Sequence, residues 1–140
     1  METNCINRLT EIIQWILNED CNYREDGSFK YIPFKYEKFV VLLKGKSGKF
    51  LDVGCGIGDK VFIAKEMGFE AHGIEKDERL FNIADKYLLN IQNIDAFDFN
   101  EYDKFDIIYM YHPFRDIEKQ IKLENLINSK KRKDALFINV

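Results

Sequence analysis

Three glycines in one short loop are the residues of this sequence best suited to hold a ligand. Gly54, Gly56 and Gly58 stand at every second position, directly after the mostly apolar stretch 49–53. A backbone without Cβ atoms turns tightly, adopts positive φ and lets a bound molecule approach to contact distance. A helix that begins right after such a loop points its free N–H groups at the same place. We therefore expect this loop to bind a ligand.

Two carboxylates stand where they can complete a ligand site around this loop. Asp52 precedes the glycines, and Glu75 follows Gly54 by 21 positions, at the end of a second apolar stretch. A carboxylate at the end of the second strand of such a unit can accept hydrogen bonds from both hydroxyls of a ribose. A helix-entry charge is the competing interpretation of Glu75, and its position favours ribose binding. The pattern predicts a nucleoside ligand.

The residue after the third glycine indicates which kind of nucleoside ligand the loop can bind. A dinucleotide fingerprint places a glycine three positions after its second glycine, and that position is Asp59 here. A carboxylate at Asp59 would face a pyrophosphate, which carries the same charge. The spacing therefore argues against a nicotinamide dinucleotide.

The series Asp52-x-Gly54-x-Gly56-x-Gly58 resembles motif I of the class I S-adenosylmethionine-dependent methyltransferases, and the resemblance extends over roughly residues 49–140. It implies S-adenosyl-L-methionine as the methyl donor and S-adenosyl-L-homocysteine as the product. In this family the acidic residue of motif I organises the amino end of the cofactor, and Asp95-Ala96-Phe97 resembles the loop that recognises adenine. An acidic surface loop is the alternative for Asp95. The cofactor-binding residues so implied are Asp52, Gly54, Cys55, Gly56, Gly58, Glu75, Lys76, Asp95, Ala96 and Tyr111.

The stretch Tyr111-His112-Pro113-Phe114 falls where this family carries its fourth motif. Members that methylate exocyclic or amide nitrogen often have Asn or Asp before two prolines there, whereas this chain has a histidine and one proline. An imidazole can accept a hydrogen bond or act as a general base near neutral pH. We name His112 and Tyr111 as the catalytic candidates, with a loop-bracing histidine as the alternative. The methyl acceptor is not identified.

Strands and helices alternate from residue 49 onwards, which predicts an α/β fold. We expect a Rossmann-like, doubly wound and mainly parallel sheet of five strands in the order 3-2-1-4-5. A helix between the fourth and fifth strands should turn Ile117, Ile121 and Ile127 inward. The predicted strands are 49–53, 70–74, 92–94, 105–111 and 134–140, and the predicted crossover helices begin at Asp59 and after Asp77.

The chain is predicted to form a single domain, with an N-terminal helical cap over residues 1–45 and a cofactor-binding core over residues 46–140. Apolar residues recur at helical spacing in 4–19, and a second helix should carry Tyr36, Phe39, Val40 and Leu43 on one face. We expect the aromatic and proline residues Tyr31, Pro33, Phe34 and Tyr36 to form a lid over the cofactor or part of the core.

We expect a fold without the helix and two further strands with which enzymes of this family usually continue past the fifth strand. The apolar stretch 135–140 would then lie at or near the sheet edge, where an unpaired strand invites pairing. We expect a homodimer, a partner chain that completes the sheet, or an unusually open substrate surface. The alternative function is a non-catalytic S-adenosylmethionine-binding subunit or sensor that needs such a partner.

Composition narrows the class of protein further. The 140 residues carry a net charge of −3, which argues against a broad positively charged surface for nucleic acid, although the basic run 130–133 leaves a local contact possible. Three cysteines without metal-ligand spacing predict reduced thiols and no metal site, and Cys55 is better explained by packing than by catalysis. No apolar run approaches bilayer length and no secretory signal is evident, so we expect a cytosolic protein without membrane contact.

Overall fold

The computed structural model describes residues 36–87, 89–111 and 114–140. Five parallel strands form one sheet in the order β3-β2-β1-β4-β5. The predicted α/β class and the 3-2-1-4-5 order are thereby confirmed. Strand order reverses between β1 and β4, so the carboxyl ends of these two strands flank the place where ligands bind in open α/β sheets. The strands are β1 (Lys49–Val53), β2 (Glu70–Glu75), β3 (Ile91–Asn93), β4 (Ile107–Met110) and β5 (Leu136–Asn139).

Four α-helices and one 3₁₀ turn cover this sheet in the described part of the chain. Side chains cap two of them, since Asp77 accepts a hydrogen bond from the N–H of Arg79 and Asp116 accepts one from Glu118. The predicted start of a helix after Asp77 is confirmed. The helices are α1 (Tyr36–Leu43), α2 (Asp59–Glu66), α3 (Glu78–Asp85) and α4 (Ile117–Lys130), and the 3₁₀ turn is Tyr102–Lys104.

The two faces of the sheet are buried by different helices. Helices α1, α2 and α3 pack on one face, where Phe39 of α1 lies edge-on to Phe50 and Tyr109 at 5.8 and 5.0 Å between ring centres. Helix α4 and the 3₁₀ turn pack on the other face through Leu123, Ile127 and Tyr102. Side chains of successive strand residues point to opposite faces, so β1, β2, β4 and β5 supply both cores, whereas β3 supplies only Ile91. The predicted helix through Phe39 and Leu43 is therefore part of the main core.

The prediction for α4 is correct for Ile127 and wrong for Ile117 and Ile121. Ile127 and Leu123 are fully buried, whereas Ile117 is 74% and Ile121 49% exposed. Six residues advance an α-helix by about one and two-thirds turns, so Ile121 and Ile127 cannot share a face. The buried face instead follows the four-residue step from Leu123 to Ile127.

Several boundaries differ slightly from the predicted ones. Strand β3 begins one residue earlier than expected, and β4 is confined to Ile107–Met110, although Phe105 just before it is buried. The basic run 130–133 begins at the last residue of α4 and continues into the turn before β5, where Arg132 pairs with Asp106. None of the helices in the described ranges is long and apolar enough to cross a membrane. The expected helix over 4–19 and the segment 31–35 lie outside the described residues.

Candidate functional site

The glycine loop leaves β1 in a conformation that suits glycine. Gly54, Gly56 and Gly58 have φ angles of 73°, 59° and 83°, in the left-handed region that other residues rarely adopt. The N–H groups of Gly54 and Cys55 both donate to the carbonyl of Ile74 at 2.9 Å. The loop is thus fastened to the end of β2, so that two strand ends hold it in place.

Close packing under the loop determines which way Cys55 points. A Cβ atom on Gly73 would lie 2.8 Å from the Cys55 sulfur, so this side chain turns in toward β2. Cys55 is buried, and its burial raises the pKa of the thiol well above its usual range. A protonated, inward-facing thiol is a poor nucleophile, which agrees with the interpretation of Cys55 as a packing residue.

Glu75 joins the glycine loop to the start of α3. One carboxylate oxygen accepts the N–H of Gly56 at 2.7 Å, and the other accepts the N–H of Asp77 at 2.8 Å. Burial raises the pKa of Glu75, and these two N–H groups oppose that rise. A carboxylate has about four acceptor positions, so both oxygens can still accept hydroxyl groups from a ligand.

Asp52 belongs to a buried group of charges that also contains Asp59 and Lys60. These three residues are only 2%, 3% and 6% exposed. The Lys60 ammonium lies 3.8 Å from an Asp59 oxygen that also accepts a 3.0 Å hydrogen bond from the Tyr36 hydroxyl. Burial raises the pKa of Asp52 well above its usual range, with Lys60 opposing and Asp59 and Glu75 adding to the rise.

Two tyrosines at the end of β4 face the same group of charges. Tyr109 stands opposite Asp52 in the β1–β4 register and is fully buried. Its hydroxyl has no hydrogen-bond partner among the described residues, and burial, with the charge of Asp52 adding, raises its pKa. The Tyr111 ring centre lies 5.5 Å from the Lys60 ammonium, a cation–π distance. His112 lies outside the described residues.

The carboxyl ends of β2 and β3 are tied together by polar contacts. Asp95 accepts the N–H of Phe97 at 2.9 Å, and its second oxygen lies 3.3 Å from the Lys76 ammonium. Asn93 donates to the carbonyls of Glu75 and Lys76 at 2.8 and 3.1 Å. Lys76 and Asp95, both singled out from the sequence, are therefore brought together beside Glu75.

An aromatic pair lies next to this edge of the sheet. The rings of Phe97 and Phe114 are 5.7 Å apart, and Phe97 is 38% exposed. The carbonyl of Ala96 accepts a 2.7 Å hydrogen bond from the Tyr102 hydroxyl, which holds the loop that carries Phe97. The arrangement places an apolar wall between the loop after β3 and the loop after β4.

Sequence reasoning missed three residues of this neighbourhood, Lys60, Asn93 and Tyr109. It also did not predict that Tyr36 donates a hydrogen bond to Asp59. A lysine in the first turn of a helix and a tyrosine in a strand are common on protein surfaces and in cores, so their types give no signal. Asn93 follows a very short strand, where an asparagine normally indicates a turn. Only burial and distance distinguish these residues from ordinary ones.

His72 lies away from this neighbourhood. It borders a cavity of about 230 Å³ on the α4 face of the sheet, between Leu51, Phe99 and Phe105. Its ring nitrogen is 3.0 Å from a Glu70 oxygen, and its ring meets Phe105 edge-on at 5.5 Å. These contacts give His72 a structural role in packing the sheet.

No protein-family model and no curated protein matches the sequence. Solved structures do match. The chain is similar to the PH0226 protein of Pyrococcus horikoshii, with a TM-score of 0.63 and 22% identity over 76% of this chain and 54% of that one. It is similar to the glycopeptide N-methyltransferase MtfA complexed with S-adenosyl-L-methionine, with a TM-score of 0.62 and 14% identity over 74% and 51%.

A third similar structure is a SAM-dependent methyltransferase from Bacteroides fragilis in complex with S-adenosyl-L-homocysteine. The TM-score is 0.60 and the identity 21%, over 78% of this chain and 47% of that one. The chain therefore spans about half the length of each of these proteins. At these identities the likeness concerns the fold. The sheet order, the glycine loop at the switch point and these matches together show that the chain has the Rossmann-like fold of the class I S-adenosylmethionine-dependent methyltransferases.

Proposed function

We propose that this chain binds S-adenosyl-L-methionine at the glycine loop and transfers its methyl group to an acceptor. The observation that carries the proposal is Glu75, whose carboxylate bridges the loop after β1 and the start of α3 beside the topological switch point. The methyltransferase fold supports the same ligand. In this proposal the cofactor contacts are the set named from the sequence, with Tyr111 nearest the reacting end.

Glu75 is proposed to bind the ribose. Its two oxygens already accept N–H groups, which fixes their orientation before a ligand arrives. The remaining lone pairs point away from these donors and suit two adjacent hydroxyls. A ligand without ribose hydroxyls would leave a partly buried carboxylate unsatisfied, which is costly and therefore selective.

The loop after β3 is proposed to hold the adenine. Asp95 is oriented by the N–H of Phe97 and by the Lys76 ammonium, so its carboxylate is positioned in advance. Phe97 and Phe114 offer ring surface to a flat base or to the acceptor. These contacts support the assignment of Asp95 and Ala96 to the adenine side.

Bound S-adenosyl-L-methionine would supply an activated methyl group on a sulfonium. Displacement at such a carbon needs an in-line nucleophile and exclusion of water more than it needs charged catalysts. The chain provides buried surroundings through Tyr109 and Tyr111 at the end of β4. His112 and Tyr111 are proposed to face the acceptor, whose identity is left to experiment.

A second candidate function is a cofactor-binding subunit or sensor that works with a partner chain. The observation that favours it is β5, which pairs only with β4 in the described sheet. Leu136 on this strand is 41% exposed. A strand added at this edge would cover it, and the added chain could also contribute to the acceptor site.

Calorimetric titration with S-adenosylmethionine and S-adenosylhomocysteine tests the proposal. We expect saturable one-to-one binding of both, and loss of at least tenfold in affinity for Asp52→Ala and Glu75→Ala, because each removes a charged partner. Glu66→Ala, on the exposed side of α2, is the matched control and should bind as the parent does. Absence of heat with either ligand at high micromolar concentration would refute the proposal.

Enzyme and sensor are then separated by following a labelled methyl group. Label from S-adenosylmethionine should appear in a small-molecule, protein or RNA fraction if the chain is a methyltransferase. Binding without transfer to any fraction, in the presence of a cell extract as acceptor source, would favour the sensor.

A further inference from the structure

Lys60 occupies a position that is unfavourable for a lysine in two ways. It is only 6% exposed, although lysine is seldom fully buried. It also lies in the first turn of α2, two positions after the N-cap Gly58, where the helix dipole disfavours a cation. A surface residue would avoid both costs. A buried cation at a ligand-binding edge is therefore a candidate for a functional role.

The surroundings of Lys60 leave its hydrogen-bonding capacity largely unused. Its ammonium lies 3.8 Å from an Asp59 oxygen, which is beyond hydrogen-bond distance, and 5.5 Å from the Tyr111 ring centre. Among the described residues none accepts a hydrogen bond from its three N–H donors. The ammonium is thus ion-paired with Asp59 but makes no hydrogen bond, so its N–H donors can still receive an anion.

A second polar group nearby also lacks a partner. The Tyr109 hydroxyl is fully buried and has none among the described residues, and Tyr109 stands opposite Asp52 in the sheet register. Lys60 lies near enough to Asp52 to lower its pKa. One cation, the two carboxylates of Asp52 and Asp59 and a hydroxyl without a hydrogen-bond partner thus share one buried region beside the glycine loop.

This combination matches a zwitterion. An amino-acid end carries one carboxylate and one ammonium on the same carbon, so it needs a cation and an anion held close together. We propose that Lys60 binds the α-carboxylate of the amino-acid end of S-adenosylmethionine, with Asp52 on the ammonium side. The inference rests on the proposed function and adds to it a residue that selects ligands with an intact amino-acid end.

A ligand series on the unaltered protein tests the inference directly. S-adenosylmethionine, its decarboxylated analogue and 5′-deoxy-5′-methylthioadenosine share the adenosine and sulfur but differ in the amino-acid end. We expect the decarboxylated analogue to bind about tenfold to a hundredfold more weakly than S-adenosylmethionine, as loss of a charged hydrogen bond implies. Equal affinities of these two ligands would overturn the inference.

Lys60→Met then assigns the preference to one side chain. Affinity for S-adenosylmethionine should fall by about the same factor, while affinity for the decarboxylated analogue and for methylthioadenosine stays within twofold. Lys60→Arg keeps the charge and should retain most of the preference. Lys65→Met, on the exposed side of the same helix, is the matched control.

The outcomes distinguish this inference from the proposed function. Binding of all three ligands with an equal loss in Lys60→Met would mean that Lys60 only braces the loop. If Lys60→Met fails to fold, the ligand series on the wild-type protein and on Lys60→Arg still tests whether Lys60 binds the carboxylate. Failure of the wild-type protein to bind any of the three ligands would refute the proposed function itself.

Discussion

The buried carboxylate of Asp52 lowers the stability of the folded protein and is proposed to bind the cofactor. It is 2% exposed at the end of β1, and burial outweighs the nearby Lys60 in raising its pKa. A buried carboxylate destabilises the folded state whenever it is ionised. Such a group is retained when a ligand needs its charge. The same residue should therefore affect folding and cofactor binding in opposite directions.

Asp52→Asn should stabilise the protein at neutral pH while weakening cofactor binding. The raised pKa means that the folded state holds the proton more tightly, so the parent loses stability as pH rises from the unfolded aspartate pKa of about 3.9 through the folded value. The variant lacks this loss. Urea unfolding at several pH values should show a gain on the order of 1 kcal/mol at pH 7 that vanishes toward pH 4.

Asp85→Asn is the control for this prediction, since Asp85 is exposed at the end of α3. Its effect on unfolding should be small. A less stable Asp52→Asn at pH 7 would show instead that attraction between Asp52 and Lys60 exceeds the cost of burial.

The glycine loop and helix α2 act as one element. Gly58 is the N-cap of α2 with φ of 83°, and a Cβ there would lie 2.7 Å from a Leu89 methyl carbon. Leu89 follows α3, so the start of one crossover helix is packed against the end of the next. Displacement of Gly58 would therefore move the loop that we propose binds the cofactor.

Gly58→Ala should destabilise the protein more than Gly68→Ala. Both glycines have positive φ, 83° and 100°, but a Cβ on Gly68 would meet nothing within 4 Å. The left-handed conformation costs about 1–2 kcal/mol in either variant, and overpacking at Gly58 adds about 1–3 kcal/mol. Chemical denaturation measures both, and titration with S-adenosylhomocysteine should show weaker binding only in Gly58→Ala. Equal destabilisation of the two variants would indicate that the Leu89 side chain moves aside without loss of stability.

At the scale of the whole molecule, the outer edge of β5 is the feature that bears on assembly. The N–H groups of Leu136 and Val140 donate to Asp106 and Met110, on the β4 side. Residues alternate in a parallel strand, so the backbone groups of Phe137 and Asn139 point away from β4. An edge with outward donors and acceptors and an exposed leucine suits a second strand.

Leu136→Lys should therefore reduce self-association. We propose that two copies pair through β5, and light scattering at several concentrations should show the wild-type mass rising toward twice that of the chain. A lysine on each β5 would oppose this pairing by like-charge repulsion. Val41→Lys, at a 69% exposed position on α1, is the matched control and should associate as the wild type does. A wild-type mass that stays at one chain across the range would contradict the dimer.

The resemblance to the methyltransferases supplied the strand order. Spacing along the chain was sufficient to predict alternating strands and helices, the glycine loop after β1 and the placing of Asp52, Glu75 and Asp95 at the ends of strands. These features follow from local rules: strands and helices alternate, parallel strands end on the same side, and glycine is needed where φ is positive. The cofactor-binding and catalytic roles of these residues remain predictions.

Only the tertiary structure decided which charges are buried and which apolar side chains are exposed. Asp59 and Lys60 look like an ordinary solvated helix start until α1 brings Tyr36 to within 3.0 Å of Asp59. Ile117 and Ile121 look like core residues until the face of α4 that meets the sheet is known. Burial depends on contacts between residues far apart in the sequence, whereas motif spacing depends on neighbours. The glycine loop could therefore be predicted from the sequence, whereas the buried charged group beside it could not.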